Sequence, residues 1–85
     1  KIIGGKKILS KTISVNTVES EIAKPLEGVQ NKFKNIEIGS YPFFRLGKVG
    51  VAIVMRSTEP EQIEDCVKQI QSFIKQKKIK ILRSE

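Results

Sequence analysis

Residues Ile38-Gly39-Ser40-Tyr41-Pro42-Phe43-Phe44, read IGSYPFF, hold the one tyrosine and two of the four phenylalanines of a chain without tryptophan. Just before them, Ile36 and Ile38 alternate with polar neighbours, the period of a half-buried strand. If that strand continues through Ser40, then Ile36, Ile38 and Ser40 share one face and Glu37, Gly39 and Tyr41 the other. Tyr41 then emerges on the sheet face away from any helix, beside a glycine that lets neighbouring backbone approach. Proline withholds a ladder donor, so Pro42 is expected to end the pairing, with Phe43 and Phe44 in the connection that follows.

Working outward, Arg45-Leu46-Gly47-Lys48 reads as a hairpin connection, with Gly47 supplying a position of positive φ. Val51, Ile53 and Met55 form the inward side of the next strand. Ala52 and Val54 make its other side apolar too, which places it centrally in a sheet. Upstream, Val18, Ile22, Leu26, Val29 and Phe33 recur at steps of three and four, one apolar helical stripe. Asn16 and Thr17 offer caps, and Asn16 with Glu19 has capping-box spacing. Pro25 inside the stripe implies a start nearer Ser20 or a kink. Before it, Leu9, Lys11, Ile13 and Val15 alternate with Ser10, Thr12 and Ser14 as a first strand. Downstream, Ser57-Thr58-Glu59-Pro60-Glu61 reads as a helix start with a Thr58 cap and a first-turn proline. Ile63, Val67, Ile70 and Ile74 carry the second stripe, flanked by Cys66 and Phe73. Lys78 to Leu82 alternates as a final strand.

The order is βαββαβ, the split-βαβ, ferredoxin-like plan of an α+β two-layer sandwich: an antiparallel sheet with two helices on one face. The expected core is Leu9, Ile13, Val15, Ile22, Leu26, Val29, Phe33, Ile36, Ile38, Val51, Ile53, Met55, Ile63, Val67, Ile70, Ile74, Ile79 and Ile81. That list fills a single-layer core in a domain of this size. Three further rings, at about 150–250 Å² each, exceed what it can take, so Tyr41 and at least one of Phe43 and Phe44 are expected to stay exposed.

The 85 residues make one small domain, 1–85, and its opening Lys1 reads as a piece excised from a longer polypeptide. The single cysteine, Cys66, allows neither an internal disulfide nor a Cys-based metal cage, which fits a reducing, cytoplasmic setting. No apolar run approaches a membrane span and no signal peptide opens the chain. Sixteen Lys and Arg against nine Asp and Glu give a net charge of +7, which raises the nucleic-acid question. The cations are dispersed, from Lys6 and Lys7 to Lys75, Lys77, Lys78 and Lys80, which suits a solubilising surface better than a phosphate track. The strand from Lys48 to Val54 echoes the outline of RNA-recognition modules, yet valine and isoleucine stand where stacking rings belong. Each missing ring forfeits about 1–3 kcal/mol. Gly47-Lys48-Val49-Gly50 has GxxG spacing but falls between strands rather than between helices. Nucleic acid is therefore the alternative partner only, through weak contacts of a KH-like or RRM-like module using the lysine-rich surface.

Catalysis finds no support. The chain has no histidine, the usual neutral-pH acid–base group. Glu59, Glu61, Glu64 and Asp65 cluster where carboxylates favour a helix N-terminus, without His or Asn to complete a metal site. Cys66 on an apolar helix flank lacks a base to activate it. No catalytic residue, cofactor or metal is expected. The candidate interface residues are Gly39, Ser40, Tyr41, Pro42, Phe43 and Phe44.

From about Lys11 to Phe73 the sequence resembles the accessory segment that follows the molybdopterin-binding-like (MoaB/MogA-like) domain in FAD synthases and in CinA-type competence-damage-inducible proteins. The residues that carry the resemblance are Glu21-Ile22-Ala23, Phe33, Ile38 to Phe44, Gly50-Val51 and Met55-Arg56-Ser57-Thr58-Glu59, with Gly39-Ser40-Tyr41-Pro42 the most specific. The resemblance implies that the chemistry, hydrolysis of nucleotide pyrophosphates such as FAD or ADP-ribose, belongs to the preceding domain. It implies no catalytic residue here. The partner it implies is the protein's own upstream catalytic domain or a second subunit.

Overall fold

The computed structural model describes residues 7–45 and 47–84. Its elements run β1 (Leu9–Asn16), α1 (Glu19–Lys32), β2 (Glu37–Arg45), β3 (Lys48–Ser57), α2 (Pro60–Gln76) and β4 (Lys80–Ser84). This is the expected βαββαβ order. The strands form one antiparallel sheet in the order β2-β3-β1-β4, with β3 and β1 central as the apolar character of both faces of β3 requires.

Register sorts the side chains. Val15 lies opposite Val51 and Ile13 opposite Ile53, while Met55 lies opposite Ile38. These residues share the face covered by the helices. Ile13, Val15, Val51, Ile53 and Met55 are buried there beneath Ile22, Leu26 and Val29 of α1 and Ile63, Cys66, Ile70 and Ile74 of α2. Phe33, Ile38, Val67, Phe73 and Ile79 pack partly buried around this core. Leu9 and Ile81, expected inside, are exposed instead. Leu9 pairs with Ser57 at the end of the sheet, beyond the stretch of β1 that β4 reaches, and Ile81 sits on the outer strand. Alternation assigns a face; it does not say how far the helix layer extends over that face.

Pro42 does not end the ladder. β2 runs through it to Arg45, with Pro42 opposite Val51, Phe43 opposite Gly50 and Phe44 opposite Val49. The reason lies in the direction of the amides. The Ile38 N–H donates outward, away from β3, to Oε1 of Gln30 at 3.2 Å. Amides of alternate strand residues point the same way, so the position four residues on also faces outward. β2 is an edge strand, and a proline whose nitrogen faces the open edge removes no ladder bond. The turn is where it was expected: Gly47 has φ of +76°, while Leu46 lies outside the described residues, as does Lys6.

The helix ends depart from expectation. Val18 and Glu59, not Asn16 or Thr58, occupy the N-cap positions, and neither makes a side-chain cap bond. At α1 the Glu21 amide reaches the Val18 carbonyl at 3.0 Å. At α2 the buried Ser57 hydroxyl accepts from the Glu59 amide at 3.1 Å, and Pro60 fills the first turn as anticipated. α1 starts at Glu19 and continues through Pro25, so the Glu21 carbonyl lacks the amide that any other residue there would supply. α2 closes in a Schellman arrangement, Ile79 N–H to Ile74 O and Lys78 N–H to Lys75 O, each at 3.0 Å. Lys78 takes the left-handed position at φ +58°, where glycine is usual.

Candidate interaction surface

Because β2 is continuous, strict alternation divides the six candidate residues between two faces. Gly39, Tyr41 and Phe43 lie on the open side of the sheet, with Glu37 and Arg45. Ser40, Pro42 and Phe44 lie on the helix side. Tyr41 lies on the expected face, whereas Phe43 and Phe44, expected in a connection, are strand residues on opposite faces; the signal for separating them is the same period of two, carried through the proline.

On the open side the two rings lie close against the sheet. A Cβ built on Gly39 would meet the Tyr41 hydroxyl at 2.9 Å and two ring carbons at 3.1 Å, so the Tyr41 ring lies back along its own strand. A Cβ on Gly50 would meet the Phe43 ring and, at 2.9 Å, the Val15 carbonyl oxygen. Phe43 therefore crosses onto β3 and covers its pairing partner. Each ring occupies space that only a glycine leaves vacant, a known device for protecting glycine in sheets. Tyr41 stays 57% exposed, and Phe43 is half-buried. Around the rings stand the half-buried Ala52 and Val54 and the cations Arg45, Lys48 and Arg56. Arg56 holds an exposed ion pair with Glu37 at 3.7 Å.

On the helix side, Phe44 is 72% exposed and its partner Val49 is exposed as well, because the hairpin end projects past the covered part of the sheet. Ser40 ties this segment to the start of α1, its hydroxyl donating to Glu19 Oε2 at 2.6 Å. Gln30 fixes the other end. Its side-chain amide donates to the carbonyls of Phe33 and Ile36 at 3.2 and 2.7 Å while its oxygen accepts from Ile38. Sequence reasoning did not single out Gln30, a polar residue between helical stripes whose role depends on the tertiary approach of β2. The same contact, with Pro42, blunts β2 as an edge for strand addition.

The other candidate groups carry no site. Cys66 is fully buried, and burial pushes its thiol from 9.0 to about 11, away from the thiolate a nucleophile needs. Among the described residues no group of His, Cys, Asp or Glu is arranged to hold a metal ion, and no helix is long and apolar enough to cross a membrane.

Two designed proteins share the fold. The de novo protein Foldit4 aligns at a TM-score of 0.61 with 22% identity, over 92% of this chain and 93% of its own. The de novo protein Ferredog-Diesel aligns at 0.53 with 18% identity, over 100% and 90%. No curated protein matches the sequence. The family model described as FAD synthase, middle domain, matches residues 7–82, which takes in both helices, β1 to β3, the IGSYPFF strand and most of β4. The chain belongs to the FAD synthase middle-domain family.

Proposed function

We propose that this domain is a non-catalytic accessory module of an FAD-synthase-like or CinA-like protein. In this reading it packs against its own catalytic domain, or against a second subunit, through the open sheet face and the Tyr41–Phe44 segment. The parent activity would be nucleotide pyrophosphate hydrolysis in a preceding molybdopterin-binding-like domain, with this domain holding that unit in place. The observation that carries the reading is the exposure of Tyr41 on the uncovered sheet face of a domain whose core is already filled. With the half-buried Phe43, Ala52 and Val54 beside it, Tyr41 makes a contiguous apolar patch, the kind of surface that marks an interaction site. The family match supports the setting, since the family is described as the middle domain of FAD synthase.

The test uses the intact protein carrying Tyr41→Ala and Phe43→Ala. Altered pyrophosphatase activity or a changed oligomer size is expected. Both remaining at wild-type values would sink the docking role.

A further inference from the structure

Building on that docking reading, we infer that the surface covering the open face belongs to a neighbouring domain of the same polypeptide, and that it presents an apolar patch flanked by carboxylates. The open face has the complementary layout. Its apolar part is a patch at the β2 side, with Tyr41 and Phe43 on β2 and Ala52 and Val54 beside them on β3, bordered by Ser10, Thr12 and Ser14 of β1. Its perimeter carries Arg45 opposite Lys48 at the hairpin end, Arg56 at the far end of β3, and Lys80 on β4, opposite Asn16. Glu37 is the one carboxylate among these described positions. An apolar patch flanked by charge is interface anatomy, and tyrosine and arginine are the residue types that most often dominate binding energy there.

The layout favours a protein surface over a polynucleotide. The open-face positions of β1 and of the middle of β3, namely Ser10, Thr12, Ser14, Gly50, Ala52 and Val54, carry no rings. Stacking, worth about 1–3 kcal/mol per base, is thus confined to the one well-exposed ring of Tyr41. The cations also stand at separate corners, with an apolar strip between them, instead of following one track. Strand addition at the β2 edge, next to the rings, is disfavoured as well, because Gln30 occupies the Ile38 amide and Pro42 has none to offer. Area decides for a tethered partner. Four strands about 4.8 Å apart and some six residues deep span roughly 400 Å² in projection. Even with side-chain relief that falls short of the roughly 800 Å² per partner of a standard stable complex. A tethered domain, at an effective concentration in the millimolar range, closes so small a contact without high intrinsic affinity.

The experiment compares the full polypeptide as wild type, as Tyr41→Ala and as the double charge reversal Arg45→Glu/Lys48→Glu. Domain release is read by the rate of limited proteolysis between domains and by solution scattering, at about 0.1 M and about 1 M salt. Over that range the screening length falls from about 10 Å to about 3 Å. The expected result is that Tyr41→Ala and the charge reversal each speed cleavage about tenfold or more. High salt should loosen the wild type and leave the reversal variant little changed. If Tyr41→Ala releases the domain while charge reversal and salt do nothing, the acidic rim is overturned and docking stands. If no variant releases it, the docking reading itself fails. A drop in oligomer size in the variants would make the occupant a second copy and overturn the same-chain assignment. So would single-stranded oligonucleotide binding at low salt that Tyr41→Ala abolishes, in favour of a polynucleotide.

Discussion

Along β3, Val51, Ile53 and Met55 are sealed beneath two helices, while Ala52 and Val54, interleaved with them, face the open side and stay half-buried. The same backbone ladder supports both rows. What differs is the constraint on each side chain. The helix face is closed, so its residues are fixed by volume. The open face is fixed by clearance over the backbone, with a ring seated above each of two glycines. Stability is thus concentrated on one face, and the other is left available for recognition.

The sharpest way to break this contrast is to truncate adjacent residues of β3. Ile53→Ala removes buried methyl groups from a fully enclosed site and should cost about 2–5 kcal/mol. Val54→Ala, one residue away, should cost about 1 kcal/mol or less, because its surroundings are half open. Urea unfolding followed by circular dichroism measures both, read as a shift in midpoint at constant slope. Equal costs would mean that the open face is packed as tightly as the closed one.

Next in size is the exception on the open face. Gly50→Ala sets a methyl against the Phe43 ring and within 2.9 Å of the Val15 carbonyl oxygen, which belongs to the central strand and cannot yield cheaply. Overpacking of this kind costs about 1–3 kcal/mol. In a Phe43→Ala background the penalty should shrink by about 1 kcal/mol, since one of the two obstacles is gone. A double-mutant cycle with no coupling would place the Phe43 ring somewhere other than over Gly50.

These two sites also mark what was legible in the sequence. Ile22, Leu26 and Val29, like Ile63, Ile70 and Ile74, announce their burial by a period that depends only on the local helix, and the core followed them. The βαββαβ order followed from the same local periods. Pro42 was misread because its tolerance depends on β2 being an edge strand with that nitrogen outward, which is a property of topology. Phe43 and Phe44 were misplaced along with it. The caps failed for a related reason. Asn16 and Thr58 have suitable side chains, but β1 runs through Asn16 and Pro60 sets the start of α2, so Val18 and Glu59 take the N-cap positions. The family resemblance named the FAD-synthase setting from Gly39-Ser40-Tyr41-Pro42, while the pairing of each ring with its glycine required the register.

A smaller effect tests the rim. Arg56 and Glu37 face each other across β2 and β3 with both side chains largely in water. Exposed pairs of this kind contribute about 0–1 kcal/mol, so Arg56→Ala should move stability by less than about 0.5 kcal/mol. A loss several times larger, measured by the same urea titration, would show that the open-face cations support the fold and are not reserved for a partner.

The smallest expected effect separates the two glycines. The three atoms nearest a methyl on Gly39 all belong to the Tyr41 side chain, at 2.9 Å for the hydroxyl and 3.1 Å for the ring. That ring is more than half exposed, so it can swing outward, whereas the Val15 carbonyl beside Gly50 cannot. The backbone at Gly39 does not adopt a positive φ, and replacing glycine by alanine at a compatible position gains about 0.4–1 kcal/mol by restricting the unfolded chain. The gain and the displaced ring nearly offset, so Gly39→Ala should stay within about 0.5 kcal/mol of wild type. The ring itself gives the readout. Tyr41 is the only tyrosine in a chain without tryptophan, so intrinsic fluorescence reports it alone, and acrylamide should quench it more strongly in Gly39→Ala. A cost comparable to that of Gly50→Ala, with quenching unchanged, would mean that Tyr41 is held as firmly as Phe43, and the open face would then have two fixed rings instead of one fixed and one free to meet a partner.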